Sequence, residues 1–334
     1  MNIYLFSIFV IFLSFLLIII CKRNSYLMNR VGHVHQEFVG HSNIPLVGGV
    51  VIFFSMGLSS FYDTNLILLY FAAMFTIGLL SDLKKLNSPI IRFILQLFLI
   101  VICLYSSNIT LTETRIYFLD YLLTNYLFSI FFTSFCVLII INGSNFIDGV
   151  NSLVLGYYIV ILAVLLLLQN RDFLVSFSFP ISLLIFCLLI LYFLNLFNKL
   201  YLGDSGAYLL GFLFSIELIN FYSQNIISPF YIVLLLWYPA FENLFSILRK
   251  TNLKKSPIAP DTNHLHQLIF AFLKSKNFSS IKASNITGIS INIYNGIIMM
   301  VATSNPTNTQ FQIMLIILSL IVYTFVYIRL FKYR

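Results

Sequence analysis

The chain has 334 residues, of which 60% are hydrophobic and only 9% are charged. Soluble domains carry about 25% charged residues, so this composition, with a mean hydropathy of +0.97, excludes an ordinary soluble protein. The net charge of +8 comes without a basic run interleaved with aromatic residues on a polar segment, so nucleic acid is not an expected partner.

Long apolar runs predict the secondary structure. A spanning helix needs about 20 apolar residues, and no barrel-like alternation interrupts the runs. We therefore predict an all-α, polytopic integral membrane protein with about eleven transmembrane helices in a single membrane-embedded domain over 1–334. The predicted spans are 3–21, 44–60, 64–80, 89–106, 125–141, 152–168, 172–197, 207–222, 226–248, 286–303 and 310–330. Because basic residues follow the first run instead of preceding it, we expect that run to remain as an uncleaved anchor.

Basic residues predict the orientation. With the N-terminus outside and the C-terminus in the cytoplasm, all of the 19 Lys and Arg residues except Arg115 and Arg171 fall on the inner side. Cytoplasmic loops carry the excess of Lys and Arg, so this is the expected topology. The positive inner face matches the anionic lipids of a cytoplasmic leaflet, which makes membrane lipids an expected partner.

Histidines and aspartates collect on the predicted cytoplasmic side. They are His33, His35, His41, His264 and His266, together with Asp82, Asp148, Asp204 and Asp261. Ionisable residues gathered at helix ends that face one compartment indicate a site at the inner surface of the membrane, and not a pathway through it.

The connection after the third predicted span reads SDLKKLNSP over 81–89 and then enters an apolar helix. Asp82 closes the preceding helix, while Ser88 and Pro89 are typical of a helix start. Arg92 lies one turn inside the apolar helix, where a charge is costly. We therefore expect Arg92 to pair with a phosphate or a carboxylate.

The segment NGSNFIDGV over 142–150 follows another apolar run. Asn142, Asn145 and Asp148 recur every third residue, which places them on one side of a helical or tightly turned backbone. A capped turn would need only one such residue. Three of them at a membrane boundary favour a binding site.

Asp204, Ser205 and Gly206 begin a helix rich in glycine and aromatic residues. The free N–H groups of a helix start favour anions. The Asp204 carboxylate would either cap this helix or hold a Mg²⁺ ion that carries phosphate oxygens, and this stretch leaves both roles open. For the pair at 48–49, close helix packing and a role in the site are also both open.

The long cytoplasmic segment 249–285 carries the motif HLHQ at 264–267. Apolar residues between Leu265 and Phe272 form a stripe at helical spacing. His264 and His266 lack a neighbouring cysteine or third ligand, so they are a weak signal for zinc. Contacts with phosphate or sugar suit these two histidines better.

Six short motifs occur in the order typical of one family. They are GG at 48–49, SDLKKLNSP at 81–89, NGSNFIDGV at 142–150, GDSG at 203–206, YPAFENLFSILRK at 238–250 and HLHQ at 264–267. With these motifs, which span most of its length, the chain resembles the polyprenyl-phosphate N-acetylhexosamine-1-phosphate transferases of glycosyltransferase family 4. These enzymes are relatives of the phospho-N-acetylmuramoyl-pentapeptide translocase.

The resemblance implies an enzyme of the bacterial inner (cytoplasmic) membrane with its active site on the cytoplasmic face. It would transfer N-acetylhexosamine-1-phosphate, with GlcNAc-1-phosphate expected, from a UDP-N-acetyl sugar to undecaprenyl phosphate and release UMP. This would be the first membrane step of a cell-surface glycan pathway, such as cell wall or lipopolysaccharide biosynthesis. The implied cofactor is Mg²⁺, with Mn²⁺ as the alternative ion, and a homodimer is left open.

The resemblance also implies roles for individual residues. The implied catalytic residues are Asp82, Asp148 and Asp204, with Asp204 as the metal ligand. The implied substrate-binding residues are Asn142, Asn145, Arg92, Asn195, Lys199, His264 and His266. Phosphoryl transfer depends mainly on positioning and on neutralisation of charge, which a metal ion and cationic side chains would supply.

Four positions depart from the family pattern. Ser81, Asn151 and Glu242 stand where the family usually has Asp, and Leu46 stands where it usually has Arg. Ser81 matters most, because one of the usual Asp pair is often proposed as the base for the lipid phosphate. A phosphate monoester is largely dianionic at neutral pH and can react without a base.

These departures keep two other readings open. A catalytically silent homologue that retains the scaffold for binding would explain Ser81 and Asn151. A transporter should bury ionisable groups near the middle of the membrane, where only Glu217 and Glu242 qualify. The phosphotransferase is the favoured reading of the three.

Overall fold

The computed structural model describes residues 2–29, 43–59, 66–252, 254 and 263–333. The helices in these ranges are α1 (Ile3–Asn24), α2 (Gly48–Ser59), α3 (Leu66–Asp82), α4 (Pro89–Ser107), α5 (Tyr117–Leu123), α6 (Tyr126–Ile147), α7 (Leu153–Gln169), α8 (Ile181–Leu196), α9 (Gly203–Gln224), α10 (Pro229–Leu235), α11 (Trp237–Asn252), α12 (Leu265–Ser275), α13 (Ser280–Thr303) and α14 (Thr309–Tyr333). The all-α prediction is confirmed for the described residues, whose extended pairings are the isolated bridges Met28–Pro45 and Leu46–Tyr201. His33, His35, His41 and Asp261 lie outside the described residues.

Six helices of the described ranges are long and apolar enough to cross a membrane, namely α1, α4, α6, α9, α13 and α14. A seventh crossing arises if α10 and α11, which meet at an angle of 75°, form one broken span. The helices α2, α3, α7 and α8 are apolar but shorter, with 10 to 17 residues. The chain is therefore a membrane protein with several spans, while the count of eleven and the orientation of the termini stay predictions.

Two predicted spans differ most from the helices of the structure, and proline explains both differences. The predicted span 226–248 is divided into α10 and α11 at Leu236, and Pro239 lies in the first turn of α11. The predicted span 172–197 is shortened to α8, which begins directly after Pro180. Proline has no N–H to donate to a preceding turn, so it fits the start of a helix and interrupts its interior.

The central helix of the bundle is α9, which is buried along most of its length and is surrounded by α2, α3 and α6. Gly49 and Gly78 allow this approach. A Cβ at Gly49 would lie 2.3 Å from the Gly206 nitrogen, and one at Gly78 would lie 2.4 Å from the Ser205 Cα. Small residues let membrane helices pack backbone to backbone. Of the two roles left open for the glycine pair, close packing is the one that the structure shows at Gly49.

This packing brings four helix ends to one side of the bundle. The helix α3 ends there at Asp82, and Asp148 follows the last residue of α6. The helices α4 and α9 begin there, with Arg92 and Asp204 in their first turns. At the opposite side, the connection 108–125 joins α4 to α6 and contains α5. The polar residues of the predicted site are therefore gathered at one end of the apolar helices.

Candidate active site

Asp82 caps the start of α9. Its Oδ1 accepts a hydrogen bond from the Asp204 N–H at 2.8 Å, and its Oδ2 accepts one from the Ser205 N–H at 3.0 Å. The first N–H groups of a helix have no partner within it, and a carboxylate also stabilises the positive end of the helix dipole. Gly203 makes room for this contact, since its φ is +77° and a Cβ there would lie 2.7 Å from Asp82 Oδ2.

Asp204 accepts hydrogen bonds from three side chains that belong to three other helices. Its Oδ2 accepts from Arg92 Nη1 at 2.8 Å and from Ser81 Oγ at 2.5 Å. Its Oδ1 accepts from Asn145 Nδ2 at 2.7 Å. The capping role that the sequence left open for Asp204 is therefore taken by Asp82, and the Asp204 carboxylate is turned toward its neighbours.

Arg92 joins the first turn of α4 to the cluster. Besides Asp204, its Nη1 reaches the Ser81 hydroxyl at 2.6 Å and the Tyr208 hydroxyl at 3.1 Å. The structure thus realises the carboxylate alternative of the two partners expected for Arg92. The Arg92 and Asp204 side chains remain 21% and 28% exposed, so the ion pair can be reached by a ligand. Ion pairs of this kind combine charge with a directional hydrogen bond.

Asp148 adds a third carboxylate near the start of α9. Burial raises the pKa of Asp148 well above its usual range, and the negative charges of Asp204 and Asp82 raise it further, while a hydrogen bond from the Gly203 backbone opposes them. Carboxylates that share a poorly hydrated site disfavour one another's ionised form. The three aspartates therefore form one electrostatic unit that a cation would stabilise.

A pocket opens beside Asp148. Its lining residues are Asn29, Leu46, Asp148, Gly149, Val150, Asn151, Asn195 and Tyr201. The Asn29 Oδ1 and the Tyr201 hydroxyl are buried and have no hydrogen-bond partner within the described residues. Buried polar atoms are normally paired, so these two atoms are suited to receive a polar ligand. A few polar groups set among apolar ones are typical of small-molecule sites.

The HLHQ motif packs against the turn that follows α6. The His266 ring is buried, and a Cβ at Gly149 would lie 2.6 Å from its Nε2. His264 stacks on His266 with ring centroids 5.5 Å apart. The buried carboxylate of Glu242 holds the motif in place, since it accepts from the Leu265 N–H at 3.1 Å and lies 3.0 Å from His264 Nδ1. The two predicted histidines thus flank the wall of the pocket.

Asn142 is turned away from the aspartates. Its Nδ2 donates to the Leu138 carbonyl at 2.9 Å and to Gln96 Oε1 at 3.2 Å, one turn further from the helix end than Asn145. The three-residue spacing therefore places Asn145 and Asp148 at the cluster, and Asn142 beside it against α4. Gln96 is buried within an apolar helix and was not predicted, although a lone glutamine in such a helix is a usable signal.

Asn195 lines the pocket beside Asp148, and Lys199 follows it in the next turn of the chain. Asn195 is buried, accepts from the Ser152 N–H at 2.5 Å and donates to the Leu200 carbonyl at 2.9 Å. Its amide therefore supports the wall of the pocket that it lines. Lys199 is exposed in the turn after α8.

Three further polar residues were missed by the sequence analysis. Tyr208 lies one helical turn after Asp204, a spacing that could have identified it. Asn29 and Tyr201 reach the pocket because α1, α2 and α9 are joined through the extended segment around Leu46, which bridges to Tyr201. No local pattern in the sequence predicts a contact between segments so far apart in the chain.

The aspartates fit a hard divalent cation in the type of their donor atoms. Within the described ranges, no group of three or more His, Cys, Asp or Glu side chains forms a metal cage. A Mg²⁺ ion does not need one, since it typically takes one or two carboxylates together with water and substrate phosphate. Asp82 has both oxygens bonded to backbone N–H groups, which leaves Asp204, with Asp148 nearby, as the suitable ligand.

A model of the family described as glycosyl transferase family 4 matches residues 64–222. This range contains α3 to α8 and all but the last two residues of α9, and therefore the whole cluster around Asp204, with Asp82, Arg92, Asn145 and Asp148. The HLHQ motif and Glu242 lie beyond it. The matched part of the chain is thus the part that builds the carboxylate site.

Curated bacterial proteins are similar over most of the chain. The undecaprenyl-phosphate alpha-N-acetylglucosaminyl 1-phosphate transferase of Thermotoga maritima is 30% identical over 228 residues, which cover 67% of each chain. The protein of the same name from Salmonella typhi is 28% identical over 239 residues, 68% of this chain and 65% of its own length, so the match covers less than two thirds of that relative. A probable undecaprenyl-phosphate N-acetylglucosaminyl 1-phosphate transferase of Bacillus subtilis is 27% identical over 287 residues, 81% of this chain and 78% of its own length. From the family match and these relatives, the chain belongs to glycosyl transferase family 4.

Proposed function

We propose that this protein is a membrane phosphotransferase that moves N-acetylhexosamine-1-phosphate, with GlcNAc-1-phosphate as the expected group, from a UDP-sugar to undecaprenyl phosphate. The relatives are named for transfer of N-acetylglucosaminyl 1-phosphate with undecaprenyl phosphate. The observation that carries the proposal is the accessible Arg92–Asp204 pair at the start of α9, beside a pocket that contains Asp148. This arrangement combines the positioning and the charges that phosphoryl transfer needs.

In the proposed reaction, an oxygen of the lipid phosphate attacks the sugar-linked phosphorus of the UDP-sugar. The bond from that phosphorus to the bridging oxygen breaks, and UMP leaves with the bonding electron pair. One pyrophosphate linkage forms for each one that breaks, so no ATP is consumed. The lipid phosphate, a monoester with a second pKa near 6, is largely dianionic at neutral pH and needs no side chain to remove a proton.

The pocket beside Asp148 is the proposed site of the nucleoside. The unpaired buried atoms of Asn29 and Tyr201 suit hydrogen bonds to a base or ribose. The diphosphate would then extend toward Arg92, whose guanidinium binds phosphate oxygens in the same way as it binds the Asp204 carboxylate. His266, packed on Gly149 at the rim, would close the side of the pocket nearest the motif HLHQ.

Mg²⁺, with Mn²⁺ as the alternative, is the proposed cofactor, and Asp204 is its proposed ligand. A bound ion would neutralise the diphosphate and polarise its phosphorus–oxygen bonds. Asn145 orients the Asp204 carboxylate for this role through its hydrogen bond to Oδ1. Asp148, whose ionised form is disfavoured by its neighbours, would gain stability from the same positive charge.

The proposed location is the bacterial inner membrane, with the site on its cytoplasmic face. The basic residues of the predicted inner connections support this orientation. The contacts of the two buried glutamates favour a transferase over a transporter. Glu217 accepts from the Ser178 N–H at 2.9 Å, and Glu242 holds the start of α12, so each has a local structural role.

The test is an assay of the protein reconstituted in vesicles with undecaprenyl phosphate and a panel of UDP-sugars, in which UMP release and lipid-linked product are measured. We expect UMP only when the lipid phosphate, Mg²⁺ and one of the N-acetyl sugars are all present. The Asp204→Asn variant is the matched control. Binding of UDP-sugars without UMP release would support the silent homologue, and activity that does not require the lipid phosphate would contradict the proposed acceptor.

A further inference from the structure

The connection between α4 and α6 presents an aromatic surface on the side of the bundle opposite the aspartates. Tyr117, Phe118 and Tyr121 of α5 are 92%, 71% and 70% exposed. Tyr121 follows Tyr117 by four residues and Phe118 by three, so the three side chains lie on one face of this helix. Three large aromatic side chains side by side are unusual on a surface that faces only water, so we expect this face to contact lipid or another molecule.

Two charged residues of the same connection, Asp120 and Arg115, form hydrogen bonds within the protein. Asp120 accepts hydrogen bonds from the N–H and the hydroxyl of Thr114, both at 2.6 Å. Arg115 donates to the Thr309 hydroxyl at 2.6 Å and to the Ile227 carbonyl at 3.2 Å, which ties the connection to the starts of α14 and α10. Arg115 therefore fastens the connection to the bundle, Asp120 stabilises the turn before α5, and the aromatic face is left exposed.

The flanking helices continue this surface. Tyr105 near the end of α4 and Tyr126 at the start of α6 are both exposed, and their ring centroids lie 6.4 Å apart. Leu127 beside them is exposed as well. Tyrosine is enriched where a spanning helix leaves the hydrocarbon, because its ring is apolar and its hydroxyl can stay hydrated.

The length of α4 places this surface at the second boundary of the membrane. The helix has 19 residues, which at about 1.5 Å per residue gives a length of roughly 28 Å. The hydrocarbon layer of a bilayer is about 30 Å thick. If Arg92, in the first turn of α4, lies at one boundary, then α5 lies at the other.

We propose that α5 is an interfacial helix, whose face of Tyr117, Phe118 and Tyr121 lies among the lipids of the leaflet opposite the carboxylate site. The two phenol groups suit a boundary between water and hydrocarbon, where the ring contacts lipid and the hydroxyl stays hydrated. Through the connection 108–125, this contact would set the depth of α4 and α6, which carry Arg92 and Asn145 at their other ends.

Tryptophan fluorescence tests the proposal directly, because the chain has a single Trp, the buried Trp237. Phe118→Trp is made in a Trp237→Phe background and reconstituted in vesicles that contain lipids brominated either near the glycerol or near the methyl end of the acyl chains. We expect the shallow bromine to remove more of the emission than the deep one, and aqueous iodide to have little effect. Glu113→Trp, on the same connection but at an exposed polar position, is the matched control that iodide should quench.

If the Trp237→Phe background does not fold, the emission of wild-type protein is subtracted from that of Phe118→Trp alone. Quenching of position 118 by iodide as strong as that of position 113, without quenching by bromolipids, overturns the proposal. Protection that disappears when the protein is diluted into excess lipid also overturns it, since a second copy of the chain would then be the partner. This test does not depend on transferase activity.

Discussion

Arg92 Nη1 lies 2.8 Å from Asp204 Oδ2, and this ion pair ties the first turn of α4 to the first turn of α9. The Ser81 hydroxyl lies between the two groups, since it accepts from Arg92 and donates to Asp204. A cation and an anion held together at an accessible helix start can each bind a different ligand, the one a phosphate and the other a metal ion. Several predictions of the proposed function depend on this geometry.

Replacing Arg92 should remove the positive charge that stabilises the transferred phosphate. We expect Arg92→Gln to lower turnover about 100-fold, comparable to the loss of one preorganised donor in other enzymes. Arg92→Lys should lie between this variant and wild type, because an ammonium group keeps the charge but does not have the planar shape of the guanidinium, whose Nη1 reaches Asp204, Ser81 and Tyr208. UMP release is the measurement, and Arg329→Gln, an exposed cation on α14, is the control that should keep wild-type turnover.

Asp204→Asn should abolish the response to Mg²⁺ while the bundle stays folded. The carboxylate is accessible at a helix end, and the cap of α9 comes from Asp82, so the substitution leaves the helix start intact. We expect turnover to fall about 100-fold or more. Melting temperature titrated with Mn²⁺ in the absence of substrate gives a readout independent of activity. Asp172→Asn, at an exposed position outside the site, is the control that should keep the wild-type increase in melting temperature. An increase in Asp204→Asn as large as that in wild type would show that the ion binds elsewhere.

Asp148→Asn should lower turnover by about an order of magnitude, because it keeps the shape of the side chain and loses its charge. It should also change the dependence of stability on pH. The pKa of Asp148 is raised in the folded protein. Between the unfolded and the folded pKa, the native state binds more protons than the unfolded state, so stability falls as the pH rises through this window.

The measurement for Asp148 is the melting temperature against pH in the presence of a chelator. We expect the wild type to lose stability as the pH rises above the ordinary range of an aspartate, and Asp148→Asn to show a flatter profile with a higher melting temperature at neutral pH. Identical profiles for both proteins would contradict the electrostatic account of the three aspartates.

Ser81→Asp restores the pattern usual in the family and separates two mechanisms. The Ser81 oxygen lies 2.5 Å from Asp204 Oδ2, so a carboxylate at this position would face another carboxylate and compete for Arg92. We expect turnover to stay the same or fall. The rate should follow ionisation of the lipid phosphate, rising through a pKa near 6 and levelling above it. A severalfold gain in Ser81→Asp, with Ser81→Ala as the reference, would instead show that Asp82 acts as a base and lacks its usual partner in this chain.

Glu242 should act through the HLHQ motif. Glutamine at this position presents an N–H group to His264 Nδ1, where the carboxylate accepts, so the motif should lose its fixed position against Gly149. We expect Glu242→Gln to lower turnover about tenfold, as loss of a supporting hydrogen bond commonly does, and Glu242→Asp to recover most of it. Glu217→Gln, a buried glutamate far along α9, is the control. Equal losses in both glutamine variants would indicate general destabilisation and not positioning.

The sequence predicts which polar side chains lie together better than it predicts the spans. Long apolar runs and the small number of charged residues reveal the class of protein, and the spacing of Asn145 and Asp148 places both residues on the side of α6 that meets Asp204. Short apolar helices such as α2 and α3 are hard to distinguish from full crossings, because burial against α9 and burial in lipid select the same side chains. The 75° break between α10 and α11 depends on packing around Pro239, which no periodicity reports.

The sequence also does not predict that Asp82 caps α9 while Asp204 binds the neighbouring side chains. Asp82 lies at the end of α3 and Asp204 at the start of α9, and from the sequence either aspartate could cap a helix start. Only the long-range contact of α3 with α9 decides that Asp82 takes the backbone N–H groups of Asp204 and Ser205. The spacing predicts that Asn142 lies with Asn145, but in the structure the Asn142 amide donates a hydrogen bond to Gln96 of another helix.

The cap by Asp82 links the ionic preference of the start of α9 to the protonation of one side chain. An uncapped helix start carries a partial positive charge and repels metal cations, so it would oppose a divalent ion beside Asp204. Burial and the negative charge of Asp204 raise the pKa of Asp82 to about 8, so its ionised form is disfavoured until a cation is nearby. In the ionised form, the carboxylate bound across the first N–H groups of α9 would make this helix end net negative. The proposed dication would then meet no repulsion from the backbone of α9, through a residue that need not touch the ion.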